Sequence, residues 1–193
     1  MIKKLKPYKT YLAPIIAWIL LILYLSAPRI HANIVENEGK PLSRNIDISE
    51  TAVEKNYRFF IDDFSNIDRK NNMYRLSGWA FSTATPDEPT NKYKTEIVLF
   101  SETINYVFES LPHERNDVVD TFSNLEIEII KPGFSGVINK FAINYGKFCI
   151  GLQLTHTEKY IRQLFVTNKV LTYTPFTFEL SEDTNSLCEV YFN

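Results

Sequence analysis

Histidine, cysteine and glycine are scarce in this chain, and each scarcity removes a class of function. Three histidines, His31, His113 and His156, stand far apart without metal-ligand spacing, and the two cysteines, Cys149 and Cys188, are too few for a structural zinc site. No metal and no cofactor are expected. The six glycines build no phosphate-cradling loop, and Gly133-Phe134-Ser135-Gly136 is not the turn that presents a nucleophilic serine. The paired carboxylates Asp62-Asp63 and Glu182-Asp183 are sequence neighbours, which in a regular strand face opposite sides and cannot share work as acid and base. No catalytic residue is assigned, and an enzyme is not expected. A basic surplus is missing too. Apart from four lysines near the start, 17 basic residues stand against 23 acidic ones, a net of −6, so a nucleic-acid partner is not expected.

What is present begins with Lys3, Lys4, Lys6 and Lys9, followed by an uncharged run from Tyr11 to Ala27, YLAPIIAWILLILYLSA. As a helix this run would extend roughly 26 Å, just enough to cross a bilayer. Pro14 sits near its start, where a missing amide hydrogen matters little, and Tyr8, Tyr11 and Tyr24 suit the two interfaces. The positive-inside rule then leaves the N-terminus in the cytoplasm and everything after Ala27 outside. A cleaved signal peptide is the alternative, but cleavage after Ala27 would abut Pro28, and cleavage after Ala32 would place Ile30 at a position that favours small residues. The expected organisation is a basic tail (1–10), a single transmembrane helix acting as signal anchor (11–27), an extracellular stalk (28–56) and a β-domain (57–193).

Fourteen phenylalanines and eleven tyrosines, with many β-branched residues, favour strands for that domain. Short apolar stretches recur between turn signals, as in a sandwich or barrel. Tyr57–Phe64 and Met73–Phe81 read as a strand pair joined by a longer polar connection, SNIDRKNN. Residues 95–100 are apolar at successive positions, as in a strand covered on both faces, and Ser101-Glu102-Thr103 is short enough to turn the chain into a strand at 104–109. Leu125, Ile127 and Ile129 alternate with Glu126 and Glu128, predicting a strand with one wet face. Phe148, Ile150, Leu152 and Leu154 alternate with Lys147, Cys149, Gly151 and Gln153, which predicts one packed and one open face. Further strands are expected at 137–143, 161–166, 169–174 and 187–192. An exported domain with two cysteines invites a disulfide, yet alternation sets Cys149 on the open face and Cys188 beside Val190 and Phe192, so the pairing stays open.

Several short motifs occur in a suggestive order: Ile61-Asp62, then Leu76–Phe81 with its GWAF, Asn105–Ser110, Arg115-Asn116-Asp117-Val118, Gly133-Phe134, and Tyr145–Leu152 with G-x-F-x-I-G. Together they resemble a β-sandwich module of membrane-linked proteins in Gram-positive bacteria, some of them in surface-glycan contexts; the likeness covers about Tyr57 to Pro175. Asn116 stands where that pattern usually has proline. The resemblance implies an Ig-like antiparallel β-sandwich ectodomain at the cell surface, and no catalytic residues.

Three residues are candidates for ligand binding. Trp79 could stack on a sugar ring, although a tryptophan in a strand is more often core. Arg115 could grip a carboxylate or hydroxyls, although an internal ion pair with Asp117 is the commoner use of such a spacing. The expected function is therefore a non-enzymatic, membrane-anchored domain that binds an envelope partner, either surface glycan or another membrane protein. The alternative is an accessory or structural subunit of a membrane glycan-assembly enzyme, and an enzyme in its own right stands third.

Overall fold

The computed structural model describes residues 39–44, 52–53, 56–83, 88–159, 161–183 and 188; the segments read as basic tail and transmembrane helix lie outside them. Among the described residues no helix is long and apolar enough to cross a membrane. Residues Glu38–Asn193 form one compact unit. Its strands are β1 (Ser43–Arg44), β2 (Ala52–Val53), β3 (Tyr57–Asp68), β4 (Met73–Ser82), β5 (Tyr93–Phe100), β6 (Asn105–His113), β7 (Gly133–Asn139), β8 (Gly146–His156), β9 (Arg162–Tyr173) and β10 (Phe178–Glu182). Among the described residues one short α-helix, α1 (Asn116–Thr121), interrupts them. The β-rich class expected from composition is what forms, and its sheet is antiparallel, as the resemblance implied.

The strands run β10-β9-β8-β5-β6-β7-β4-β3, each antiparallel to its neighbour. Instead of the two separate sheets of an Ig-like sandwich, one continuous, barrel-like sheet results, because β6 belongs to both halves. Its first part pairs with β5 through Asn105–Glu109, and its last part, from Ser110 to His113, pairs with β7. Where β6 and β7 splay apart, the chain at 39–44 fills the gap. Asn139 donates its amide to the Gly39 carbonyl at 2.9 Å, Leu42 donates to the Val107 carbonyl at 2.6 Å, and β1 pairs with Val107 and Tyr106. The two sheet edges approach through rings: Tyr57 stacks on Phe165 at 4.0 Å and Phe64 meets Phe178 at 5.6 Å. β2 adds a parallel contact to β9. Both short strands fall within residues 28–56.

Three apolar clusters follow from the alternation. Inside lie Leu76, Ile97, Tyr106, Phe108, Phe134, Phe148 and Phe165, all closed to solvent. A second cluster, Val98, Phe100, Val107, Cys149, Leu164, Val170 and Cys188, covers the other side of β5, β8 and β9. Residues 97–100 are therefore buried on both faces, as their pattern implied. The expectation of an open face on β8 fails: Cys149, Gly151 and Gln153 are buried as deeply as their neighbours. Gln153 is tolerated there because its amide donates to the Glu96 carboxylate at 2.9 Å and to the Thr155 hydroxyl at 3.3 Å. In this cluster Cys149 and Cys188 form a disulfide, with Cα atoms 5.4 Å apart. The face argument against the bond thus fails with its premise.

Other boundaries shift for local reasons. β3 continues through Asp68, whose carboxylate accepts amide bonds from Lys70 and Asn71 and so tightens the turn at 69–72. Residues 161–166 and 169–174 are parts of one strand, β9, and β10 was not foreseen. The predicted strand at 187–192 lies outside the described residues except for Cys188.

Residues 125–130 make no ladder. Their alternation is real all the same: Leu125, Ile127 and Ile129 pack on a third cluster over β4, built on Phe81 and Val118, while Glu126 and Glu128 point to water. A side chain supplies the missing partner, since Thr90 Oγ1 donates to the Ile130 carbonyl at 2.8 Å and accepts from its amide at 2.7 Å.

Candidate functional site

The three candidates, Trp79, Arg115 and Asp117, lie around the third cluster. Arg115 ends the β6 connection, and its carbonyl starts α1 by accepting from Val118 and Val119 at 3.1 Å each. Its guanidinium forks onto Asp117, with Nε to Oδ1 at 2.8 Å and Nη2 to Oδ2 at 2.7 Å. The remaining nitrogen, Nη1, bonds Asp62 on β3. One cation therefore ties the first turn of α1 to an edge strand. Arg115 keeps only 22% of its side chain exposed, against 64% for Asp117. The hydrogen bonds it donates to Asp117 push Arg115 above its ordinary pKa, and the same contact holds the Asp117 carboxyl down at about 2.

Asp62 was not foreseen as the third member, and a β-bulge is the reason. Ile61 pairs with Gly78, and Asp63 with Ser77, so Asp62 is an extra residue in the ladder. Ile61 and Phe64 both turn inward, which leaves Asp62 and Asp63 exposed together on the outer side. The expectation that neighbouring carboxylates face opposite ways is wrong at this pair. They still do not make an acid–base couple, because Asp62 holds Arg115 while Asp63 accepts from the Ser65 hydroxyl at 2.6 Å.

Two motif glycines are explained by the same corner. A Cβ on Gly78 would lie 2.1 Å from the Phe60 carbonyl oxygen, on the strand that bulges to deliver Asp62. A Cβ on Gly133 would lie 2.9 Å from Arg115 Cγ and 2.5 Å from the His113 ring, so the arginine stem runs over a position that must stay bare. Trp79, on the outer face of β4, is half-buried between Phe81, at 5.9 Å, and Phe122, at 5.5 Å. Its ring is the floor beneath α1 and the segment that follows. The motif residues Asp62, Gly78, Trp79, Arg115, Asp117 and Gly133 thus assemble one corner of the fold, in which the three charged side chains pair with one another.

Surfaces suited to a ligand lie elsewhere. A groove of about 440 Å³ runs along the seam between β3 and β10, with half-buried Phe64, Tyr74 and Phe178 in its wall and Asp62, Asp63 and Glu179 at its rim. A second, of about 300 Å³, opens between Ser101–Ile104 and Asn144–Phe148. Each groove takes in part of a sequence motif, Ile61-Asp62 in the first and Tyr145–Phe148 in the second, and is completed by segments remote in sequence. Among the described residues no group of three or more His, Cys, Asp or Glu is placed to hold a metal ion.

No family model, no curated protein and no solved structure matches this chain.

Proposed function

We propose that the chain is a non-enzymatic domain, anchored by residues 11–27 in the membrane of a bacterial cell surface, that holds surface glycan in the seam groove between β3 and β10. The groove carries this reading. Aromatic rings offer apolar faces to a sugar, and the carboxylates of Asp63 and Glu179 offer acceptors to its hydroxyls, in a cleft of about 440 Å³. The Cys149–Cys188 bond supports residence outside the cytoplasm, where disulfides persist. The sequence motifs and their surface-glycan context agree with it, as does the lysine cluster before the apolar run.

Binding of isolated cell-wall polysaccharide to the full chain tests the proposal. Asp63→Asn combined with Glu179→Gln alters only exposed side chains, so it should weaken binding at least about tenfold while leaving the melting temperature in place. Undiminished binding would move the ligand off this groove. Absence of polysaccharide binding by the unaltered chain would replace glycan with a membrane-protein partner, to be sought by crosslinking in intact cells.

A further inference from the structure

The two ends of the strand barrel differ in chemistry. At one end lie the turns 69–72, 101–104, 140–145 and 174–177; they are neighbours because Lys140 donates to the Asn72 carbonyl at 3.1 Å, Phe100 pairs with Cys149, and Gly146 pairs with Tyr173. Three aromatic side chains project from these turns: Phe176 is 95% exposed, Phe141 70% and Tyr145 62%. Lys140 lies 6.0 Å from the Phe141 ring and 5.7 Å from the Tyr173 ring. Lys40, Arg69, Lys70, Lys140 and Lys147 gather here against Asp68, Glu102 and Glu179. At the other end charges of both signs are interleaved, with Glu88, Glu114, Asp117, Asp120, Glu126, Glu128 and Glu158 among Arg58, Lys92, Arg115, Lys131, Lys159 and Arg162.

We infer that the aromatic, basic end docks onto an anionic lipid surface. Exposed rings with adjoining lysines match the interfacial zone of a bilayer, where ring bodies enter the headgroup layer and ammonium groups meet lipid phosphates. Three large side chains exposed on one set of turns exceed the scattered apolar residues usual on a soluble surface. The point where the chain enters the domain agrees: Gly39 is bonded to Asn139 at this same end, and residues 28–38 are all that separate it from the apolar run. Eleven residues reach at most about 36–40 Å, so an anchor at 11–27 would keep these turns close to lipid.

This inference rests on the anchor proposed above only for its last argument, and the experiment separates the two. The full chain, with Phe176→Cys, Phe141→Cys or, at the far end of β6, Leu111→Cys carrying a nitroxide, is placed in phosphatidylglycerol vesicles. Collision rates with oxygen and with a water-soluble nickel chelate are then compared. Labels at 176 and 141 should favour oxygen and the label at 111 nickel, and Lys140→Glu with Lys147→Glu should shift the ratio at 176 at least about threefold toward water. Labels at 176 and 141 as open to nickel as that at 111 overturn the docking. A label at 176 that is immobilised but shielded from both reagents marks a protein neighbour and overturns the lipid assignment. Extraction with alkaline carbonate reports on the anchor alone: a chain that resists extraction yet keeps 176 in water retains the anchor and loses the docking. A chain that is released, yet contacts lipid through 176 at neutral pH, does the reverse.

Discussion

Reducing the Cys149–Cys188 bond should lower stability by an amount set by chain entropy. The bond joins residues separated by 39 positions, and a loop of that size removes about 3.9 kcal/mol of conformational freedom from the unfolded chain at 25 °C. Both sulfurs lie among apolar side chains, with Cys149 fully closed to solvent and Cys188 4% exposed, so two thiols left in place would remain well packed. The loss should therefore fall on the unfolded state and not on native contacts. Urea unfolding of the same chain with and without reductant measures it without changing any side chain. For a unit of this size, about 3.9 kcal/mol corresponds to roughly 8–16 °C in melting temperature. Coincident midpoints would refute the argument. So would two titratable thiols in urea without reductant, since the bond would then be absent.

Three further outcomes follow from the corner around Arg115. Arg115→Ala should cost about 1–3 kcal/mol by unpairing Asp62 and the α1 turn, and Arg115→Lys should recover less than half, because an ammonium cannot fork; an unshifted melt would refute the clamp. Asp117 titrates at about 2 in the folded chain, below its ordinary 3.8, so its contribution is complete above about pH 4 and fades as pH falls toward 2. Asp117→Asn should accordingly flatten the melting temperature between pH 4 and 2, and an unchanged slope would contradict the assignment. Trp79→Ala should cost about 2–4 kcal/mol, as a half-buried ring under α1, measurable by denaturant midpoint; a loss under about 0.5 kcal/mol would mark an exposed platform instead.

Apolar stretches bounded by polar turns carried the reading of the strand pair at 57–64 and 73–81. Alternation was insufficient where neighbours are remote. At 125–129 the period was right, but the facing segment offers Thr90 in place of a strand, its amide to the Glu128 carbonyl and its hydroxyl to Ile130, so no ladder formed. On β8, Cys149, Gly151 and Gln153 look like an open face because one is small and one polar; the second cluster and the Glu96 carboxylate that bury them come from β5, β6 and β9. The Arg115–Asp117 ion pair was among the readings their spacing allowed, although the helix start that sets it up was read as a loop. Asp62 was not, because a bulge has no compositional mark at a Phe-Ile-Asp-Asp stretch and reverses the side a residue takes. The grooves were invisible for a related reason, being made by strands that are distant in sequence.

The segment 39–44 acts as a wedge, and it is also where the domain is held. If the anchor at 11–27 bears tension, the pull enters at Gly39, whose bond to Asn139 and the adjoining Leu42–Val107 bond close the split between β6 and β7. The first element to yield would be this wedge, with the disulfide-braced strands behind it still intact. Mechanical load would thus be reported as the baring of two strand edges well before the barrel opens. A single-molecule pull between the N-terminus and residue 183 should accordingly release a short length of chain at low force ahead of the main rupture, and a single rupture event would exclude such a sequence.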